Sequence, residues 1–445
     1  MFRSLRSQLA DNPSQLYGGI GITDLDGDGH LECFVASWGG KNLVLKWGGD
    51  AYFDIADEVL SDYGSEGMGV AAGDFDGDGR EEIFVSTSEA SEDCLFAWRR
   101  GRWQNLLHTF DQRPIASQSV LTLDRFGMGR FGFLVAQEGG PFRLIEMMGG
   151  ERIADNAATL GLARIAGGRS LIAGPILGSG LDLYAGNEGI VNMLFRARTD
   201  GRYEEIALPL GLGDSSGFAR GLGLLDANGD GRLELFCANR QGPHRLFFQG
   251  SSGSFADGGL GWESNARAVV IADFDNDGYE EIFIHNQEQA NLLLAWREGS
   301  WRAVDCGEAV EPQGFGVAAI AADLDGDGRL ELLLGHGESA PQPLSLYACP
   351  ENRNHWCRVM PLTASGAPAR GALVWLWADG RQQTRVIDCG SGYLSQTEPV
   401  AHFGLGRADL VERVEIRWVD GVTIELIDVV VDRLHRVPYP NGELH

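Results

Sequence analysis

The chain has 445 residues, a net charge of −27, and 63 glycines against 15 prolines. That length exceeds one ordinary core, and the acidity disfavours nucleic acid and anionic membranes as partners. Abundant glycine with modest proline suits short strands joined by tight turns, and no apolar run is long enough to insert into and span a bilayer.

The first residues, Met1 to Gln8, lack the apolar centre of an export signal. Seven cysteines are an odd count without metal spacing, and the glycosylation-like stretch at Asn12 is blocked by Pro13. These features predict a cytoplasmic protein. The alternative is a secreted or periplasmic protein whose export signal has been removed.

From residue 24 onward a nine-residue acidic pattern recurs five times, with spacings of about fifty residues within each group. Each copy offers side-chain oxygens at positions 1, 3, 5 and 9, a main-chain carbonyl at position 7, and a glycine at position 6. Such an all-oxygen set suits a hard divalent cation, and Ca²⁺ is the expected ion. The expected ligands are Asp24, Asp26, Asp28, His30 and Glu32 in the first loop and Asp74, Asp76, Asp78, Arg80 and Glu82 in the second. They are Asp226, Asn228, Asp230, Arg232 and Glu234, then Asp273, Asp275, Asp277, Tyr279 and Glu281, then Asp323, Asp325, Asp327, Arg329 and Glu331. A closed cage of this kind leaves no position for a substrate, so the expected role of the ion is structural.

Apolar runs precede and follow each loop, as in Gly69–Gly73 and Ile83–Ser86. A third run and an aromatic-led fourth segment complete the unit, and the hairpin from Trp98 to Trp103 returns from Trp296 to Trp301. Four strands in a unit of this length are a propeller blade. The tryptophans at the strand ends read as cross-strand packing rather than a ligand cage. Between residues 74 and 226 there is room for two decayed units, one keeping Asp124 and one keeping only the glycine spacing before Asp182. Seven units close a ring without exposed sheet edges. Residues Phe2 to Leu9 match Phe53 to Leu60, so the N-terminus is expected to supply the outer strand of the seventh blade; Trp356 onward is the competing segment. The fold class is thus all-β: a seven-bladed β-propeller over 1–350, then a small antiparallel β-sandwich over 351–445. Strands are expected near 371–377, 381–388, 411–418 and 422–427 of the second domain.

The stretch from Ala72 to Phe84 resembles the FG-GAP/VCBS propellers, including the integrin α-subunit head. The segments from Asn354 to Val359, Gly366 to Val374, Gly390-Ser-Gly-Tyr-Leu-Ser-Gln396, His402-Phe-Gly-Leu-Gly406 and Val414 to Gly421 resemble the ASPIC/UnbV domain. That domain follows such propellers in cartilage-acidic-protein-like proteins. The resemblance implies calcium binding and an adhesion or scaffold role.

Three further features bear on chemistry. Gly213-Asp-Ser215-Ser-Gly217 fits the nucleophile-elbow pattern but lies in a connector with no helical period after it. Gly390-Ser-Gly and Gly174–Gly180 match neither phosphate-loop nor dinucleotide spacing. On the face opposite the Asp loops, Arg220, Arg267 and Gln118 stand at equivalent positions before their loops, and Asn239, His285 with Asn286, and His336 follow the second strands. This predicts a rim of Arg, His and Asn around the axial mouth. The reading is a calcium-binding scaffold that takes a protein or small-molecule ligand on that face. The alternative is a lyase, dehydratase or cyclase type of enzyme of secondary metabolism or sugar chemistry, with His285 or His336 as acid or base and Arg220, Arg267 and Asn239 around the substrate.

Overall fold

In each unit the run before the loop pairs with the run after it, so the loop is a hairpin turn; Gly73 opposite Glu82 and Ala322 opposite Glu331 close two such ladders. The computed structural model describes residues 1–88, 91–110, 116–149, 152–178, 180–215 and 217–440. Its first 348 residues form seven four-stranded antiparallel sheets, over 17–54, 67–105, 117–155, 170–205, 219–257, 266–304, and 316–348 with Arg3–Ser4. The innermost strands are Tyr17–Thr23, Gly67–Gly73, Ser117–Leu123, Ser170–Gly174, Ala219–Leu225, Ala266–Ala272 and Gly316–Ala322. Each packs on the next and the last packs on the first, which closes the ring. Cross-strand aromatic pairs finish the outer hairpins: Trp98 faces Trp103 and Trp296 faces Trp301, edge to face at 5.7 and 5.9 Å.

The N-terminus closes the seventh blade. Arg3–Ser4 pairs with Ser345–Ala348, and Leu5 donates its amide to Leu346. Phe2 is buried and packs edge-on against Phe274 and Phe283 of the sixth blade, so the closing strand also seals the neighbouring interface. Trp356, the competing candidate, lies in the second domain instead, where His355–Pro361 pairs with Ala401–Gly406.

That second domain stacks a three-stranded sheet (Ala401–Gly406, His355–Pro361, Leu434–Val437) on a four-stranded one (Arg381–Val386, Leu373–Ala378, Val411–Arg417, Thr423–Val429). Val359, Val374, Leu376, Phe403, Val414 and Ile416 are buried between them. The expectation of purely antiparallel pairing needs one correction: His355–Pro361 and Leu434–Val437 run parallel. A long crossover through the rest of the domain makes that geometry available.

One segment of this domain leaves the sandwich. Residues 389–397, which carry the Gly-Ser-Gly-Tyr-Leu-Ser-Gln motif, run down the propeller axis. The innermost strands present unpaired amides and carbonyls there, as any sheet edge does. The plug satisfies several of them. Thr122 donates its amide to Cys389 at 2.7 Å, Val70 to Leu394 at 2.9 Å, and Leu222 exchanges two backbone bonds with Gly392. Gln396 bonds Ala72 through both ends of its side-chain amide, and its own backbone amide goes to Ile20. Gly392 has φ +74°, and a Cβ there would lie 2.6 Å from the Val269 carbonyl, so only glycine fits.

Deleting residues 1–9 should lower the melting temperature, and Phe2→Ala alone should cost about 3–5 kcal/mol in a denaturant titration, as for other buried aromatics. An unchanged midpoint in both variants would show that the seventh blade closes without them.

Candidate functional site

The Asp loops share one hydrogen-bonding scheme. The position-9 glutamate is buried in every copy and accepts the amide of the residue after the first aspartate. The five distances, to Glu32, Glu82, Glu234, Glu281 and Glu331, are 2.7, 2.7, 2.8, 3.1 and 2.9 Å. The position-1 aspartate accepts the glycine amide at position 6, from 2.8 to 3.1 Å across the five loops. Position 5 accepts the amide of position 7, which turns the carbonyls of His30, Arg80, Arg232, Tyr279 and Arg329 into fixed places.

Carboxylate oxygens then crowd together. Asp24, Asp26 and Glu32; Asp74, Asp76 and Asp78; Asp273, Asp275 and Glu281; and Asp323, Asp325 and Glu331 each bring oxygens within 4.8 Å of one another. Burial, with the neighbouring aspartates adding to it, pushes Glu32 up to about 7, Glu82 to about 9 and Glu234 to about 8. Burial likewise lifts Glu281 and Glu331 well above the carboxylate range. Such groups need a positive partner. Side chains provide some of it: Lys46 meets Asp28 at 2.6 Å and also reaches Asp26 and Glu32, Arg99 meets Asp76, and Arg297 lies 3.0 Å from Asp275, Asp277 and Glu281. An all-oxygen donor set of this density fits a hard divalent ion at each of these four loops. The fifth-blade loop is the weakest of the five. Its carboxylates do not converge as the other four sets do, and Asp226 keeps a buried oxygen, Oδ1, without a hydrogen-bond partner.

The third and fourth blades fill their loops differently. Asp124 accepts amides from Phe126, Met128 and Gly129, and Asp182 accepts those of Leu177 and Ala197. One carboxylate caps the turn where the other blades gather three or four. Ser179 of the fourth-blade loop lies outside the described residues.

The Asp-loop face is covered by the second domain. Arg436 reaches the Gly29 carbonyl, Ser365 bonds Asp74 at 2.9 Å, Thr384 bonds the Gly231 carbonyl at 3.2 Å, Gly404 donates to Asp273 at 3.1 Å, and Arg358 meets Asp323 at 2.6 Å. Each of the five loops is thus touched. A Cβ on Gly404 would sit 2.1 Å from Asp273 Oδ2, which explains the glycine in His-Phe-Gly-Leu-Gly. Two fully buried guanidiniums anchor the contact. Arg370 lies 2.5 Å from Glu81 and bonds the Ile22 and Asp388 carbonyls, and Arg358 bridges Asp323 and Glu398.

At the opposite mouth the sequence-predicted rim divides into separate sites. Arg220 and Arg267 do lie together beside the plug, with the Arg220 guanidinium 5.7 Å from the Tyr393 ring centre. Arg220, Arg169 and Arg240 converge on Glu188 at 2.7, 3.0 and 3.2 Å, Arg169 also bonds Gln118, and Arg267 meets Glu338 at 3.0 Å. Both Arg220 and Arg267 are buried, and each leaves Nε and Nη1 without a hydrogen-bond partner. His285 and His336 are not part of this group; they face Glu311 between the sixth and seventh blades. Burial, and the neighbouring His336, hold the His285 imidazole down to about 3, far from the range of a general base at neutral pH. Asn239 binds the Pro243 carbonyl and His244 and shapes its own turn. The grouping of His285, His336 and Asn239 with the arginines at one mouth is therefore corrected. The arginines lie on the first strands of their blades and the histidines on the second, at positions that are not equivalent, and only the arginines lie beside the axial plug.

Ser215 is exposed in a bend and is followed by the strand Ala219–Leu225, so no elbow forms; Ser216 lies outside the described residues. Sequence reading missed Arg169, Glu188, Glu338 and Tyr393 at the mouth and Arg358 and Arg370 at the domain contact. Arg370 carried a signal: it stands in the small, apolar run from Ala367 to Val374 with no charged neighbour, and a buried cation demands a partner.

Arg370→Met should destabilise the protein by about 3–5 kcal/mol, because Glu81 would stay buried without its counter-charge. Adding Glu81→Leu should recover much of that loss. Equal midpoints for the single variant and the wild type would place this pair outside the energetics of docking.

The FG-GAP-like repeat family matches residues 24–85, 226–284 and 273–334, and the ASPIC and UnbV family matches residues 362–444. Cartilage acidic protein 1 of Xenopus tropicalis is 38% identical over 489 residues, covering 97% of this chain and 75% of that protein. The Homo sapiens protein is 38% identical over 486 residues, covering 97% of this chain and 73% of its own. Among solved structures, the BP39L lectin from Burkholderia pseudomallei shares the fold, with TM-score 0.50 at 13% identity over 76% of this chain and 98% of that one.

These relatives are named for cartilage, a tissue rich in extracellular matrix, and this overturns the expectation of a cytoplasmic protein. All seven cysteines are buried and unpaired, so their odd count reflects core packing and carries no information on compartment. A repeat propeller with FG-GAP loops, the ASPIC and UnbV motifs docked on them, and identity along nearly its whole length place this chain in the cartilage acidic protein 1 family.

Proposed function

We propose that this protein is a calcium-binding scaffold in which Ca²⁺ at the Asp loops holds the propeller and the second domain as one unit. The observation that carries this reading is the double use of the loops. The same aspartates that gather oxygens for a cation, Asp74, Asp273 and Asp323, also bond the second domain. An ion at those loops sets both the turn geometry and the docking surface. Asp24, Asp26, Asp28 and Glu32 would hold it in the first blade, with their equivalents and the position-7 carbonyls in the others. Lys46, Arg99 and Arg297 would move aside or share the carboxylates.

The ligand-binding side in this reading is the mouth opposite the loops. Support comes from Arg220 and Arg267, two buried guanidiniums with N–H groups unsatisfied, in a protein that is otherwise strongly acidic. They suit a carboxylate-bearing ligand, since the guanidinium fork matches that geometry. The enzyme alternative has no nucleophile–base pair at this mouth among the described residues.

Calcium removal tests the first part. Chelation should lower the melting temperature by several degrees while the folded signal persists, since a site filled at 100 times its Kd contributes about 2.7 kcal/mol. Asp76→Ala should reduce the calcium-dependent shift more than Asp230→Ala, because the fifth-blade loop already carries Asn228. Identical melts with and without chelator would refute the reading.

A glutamate-rich peptide serves as probe for the mouth. Its binding by calorimetry should weaken at least tenfold, roughly 1.4 kcal/mol, in Arg220→Met and Arg267→Met, and stay unchanged in Lys46→Met. Equal affinity in all of these would remove the mouth as the ligand side.

A further inference from the structure

His285 is the penultimate residue of the second strand of the sixth blade, His336 is the last of that strand in the seventh, and Glu311 stands in the connector between those blades. His336 Nε2 lies 2.9 Å from Glu311 Oε2, and His285 Nε2 lies 3.9 Å from the same oxygen. One ligand atom from each of the three residues falls within 4.8 Å of the other two. The imidazoles meet edge to face at 5.2 Å.

The protons of this group can be assigned from its partners. His285 Nδ1 faces the Ala318 carbonyl at 3.2 Å, and His336 Nδ1 faces the Pro343 carbonyl at 2.8 Å. A carbonyl only accepts, so each Nδ1 carries hydrogen, and in the neutral rings each Nε2 is a bare lone pair. Two imidazole lone pairs and a carboxylate oxygen then converge on one point. They are all acceptors, and an acceptor cluster is stable only around a cation. A proton on His336 Nε2 would serve that residue and Glu311, but it leaves His285 Nε2 with nothing. That atom is buried and has no hydrogen-bond partner, while its ring is fully enclosed.

We propose that His285, Glu311 and His336 form a binding site for a first-row divalent transition metal, with Zn²⁺ the best fit, separate from the Asp loops. Tetrahedral bonds of about 2.0–2.1 Å set ligand atoms about 3.4 Å apart, between the two short distances found. The surrounding groups are those a metal site uses. Backbone carbonyls fix both rings, and Tyr347 donates to the other oxygen of Glu311 at 2.6 Å. Gly316 leaves the space for the first ring, since a Cβ there would lie 2.5 Å from His285 Cδ2. Glu311 has φ +31°, a conformation unusual for a residue with a side chain and held where it completes the cluster. A cleft lined by Glu311, His336, Pro312, Gln313 and Gln342 gives an ion access and leaves a fourth position for water. The donor set separates the two classes of site: nitrogen ligands favour zinc-type ions, and oxygen cages favour calcium. Glu331 and His336 are the two ends of one strand, which sets the sites about 17 Å apart.

The test uses the whole chain in excess Ca²⁺, with Co²⁺ as a spectroscopic stand-in for Zn²⁺. One equivalent should bind with visible bands of low-symmetry, four- or five-coordinate cobalt, and Zn²⁺ should displace it. His336→Ala and Glu311→Gln should each weaken that binding at least tenfold, and Asp76→Ala should leave it unchanged. Zinc X-ray absorption on the wild type needs no variant and should show two imidazole nitrogens near 2.0 Å. An oxygen-only shell, no Co²⁺ binding above the calcium-saturated background, or undiminished binding in folded His336→Ala would overturn the proposal.

Discussion

Five buried glutamates, one at the end of each intact Asp loop, accept the amide that follows the loop's first aspartate and so fix the turn between the two inner strands of a blade. The bond places a carboxylate at the base of a hairpin, out of water, beside two or three more. That arrangement is unfavourable by itself, and the groups placed on this face of the propeller answer it with positive charge and with N–H and O–H donors. Lys46, Arg99 and Arg297 come from within the blades, and Arg358, Arg381 and Arg436 come from the second domain. Docking of the second domain is thus an extension of the chemistry that forms the turns.

The plug follows from that docking. A propeller axis is ringed by strand edges whose amides and carbonyls face one another across a gap, and water usually fills it. Here residues 389–397 supply backbone and side-chain partners to the first, second, third, fifth and seventh blades. Arg370 ties the base of the plug to Glu81 through Asp388, and Arg358 ties it to Asp323 through Glu398. Tyr393 reaches the far mouth and lies against Arg220. Loops on one face and arginines on the other are thereby joined by a continuous run of packed residues, which gives the second domain a physical route to the opposite mouth.

The blades were legible because repetition multiplies a weak signal: a single Asp loop says little, but five copies flanked by apolar runs define a unit. Even the closing strand could be read, since Phe2 and Leu9 fall in the register of Phe53 and Leu60. The decayed loops were also legible, because Phe126 and Met128 cannot replace carboxylates. What could not be read was relation between units. Gly390-Ser-Gly-Tyr-Leu-Ser-Gln396 looks like a surface loop from local composition, and its partners lie up to 376 residues away, at Ile20. The division of the rim failed for the same reason. Arg267 and His285 lie on adjoining strands of one blade, yet the first turns to the axis and the second to the next blade. Strand period predicts alternation of faces, but not which neighbour a face meets.

The central claim is that loaded Asp loops hold the second domain so that its plug stays in the axis. Hydrogen exchange at the amides of Val70, Thr122 and Leu222, which bond the plug, measures this directly. With saturating Ca²⁺ these amides should exchange as slowly as the ladder amides of the same blades. On chelation they should become at least tenfold faster while the ladder amides stay protected. Equal protection at these three amides with and without calcium would contradict the account.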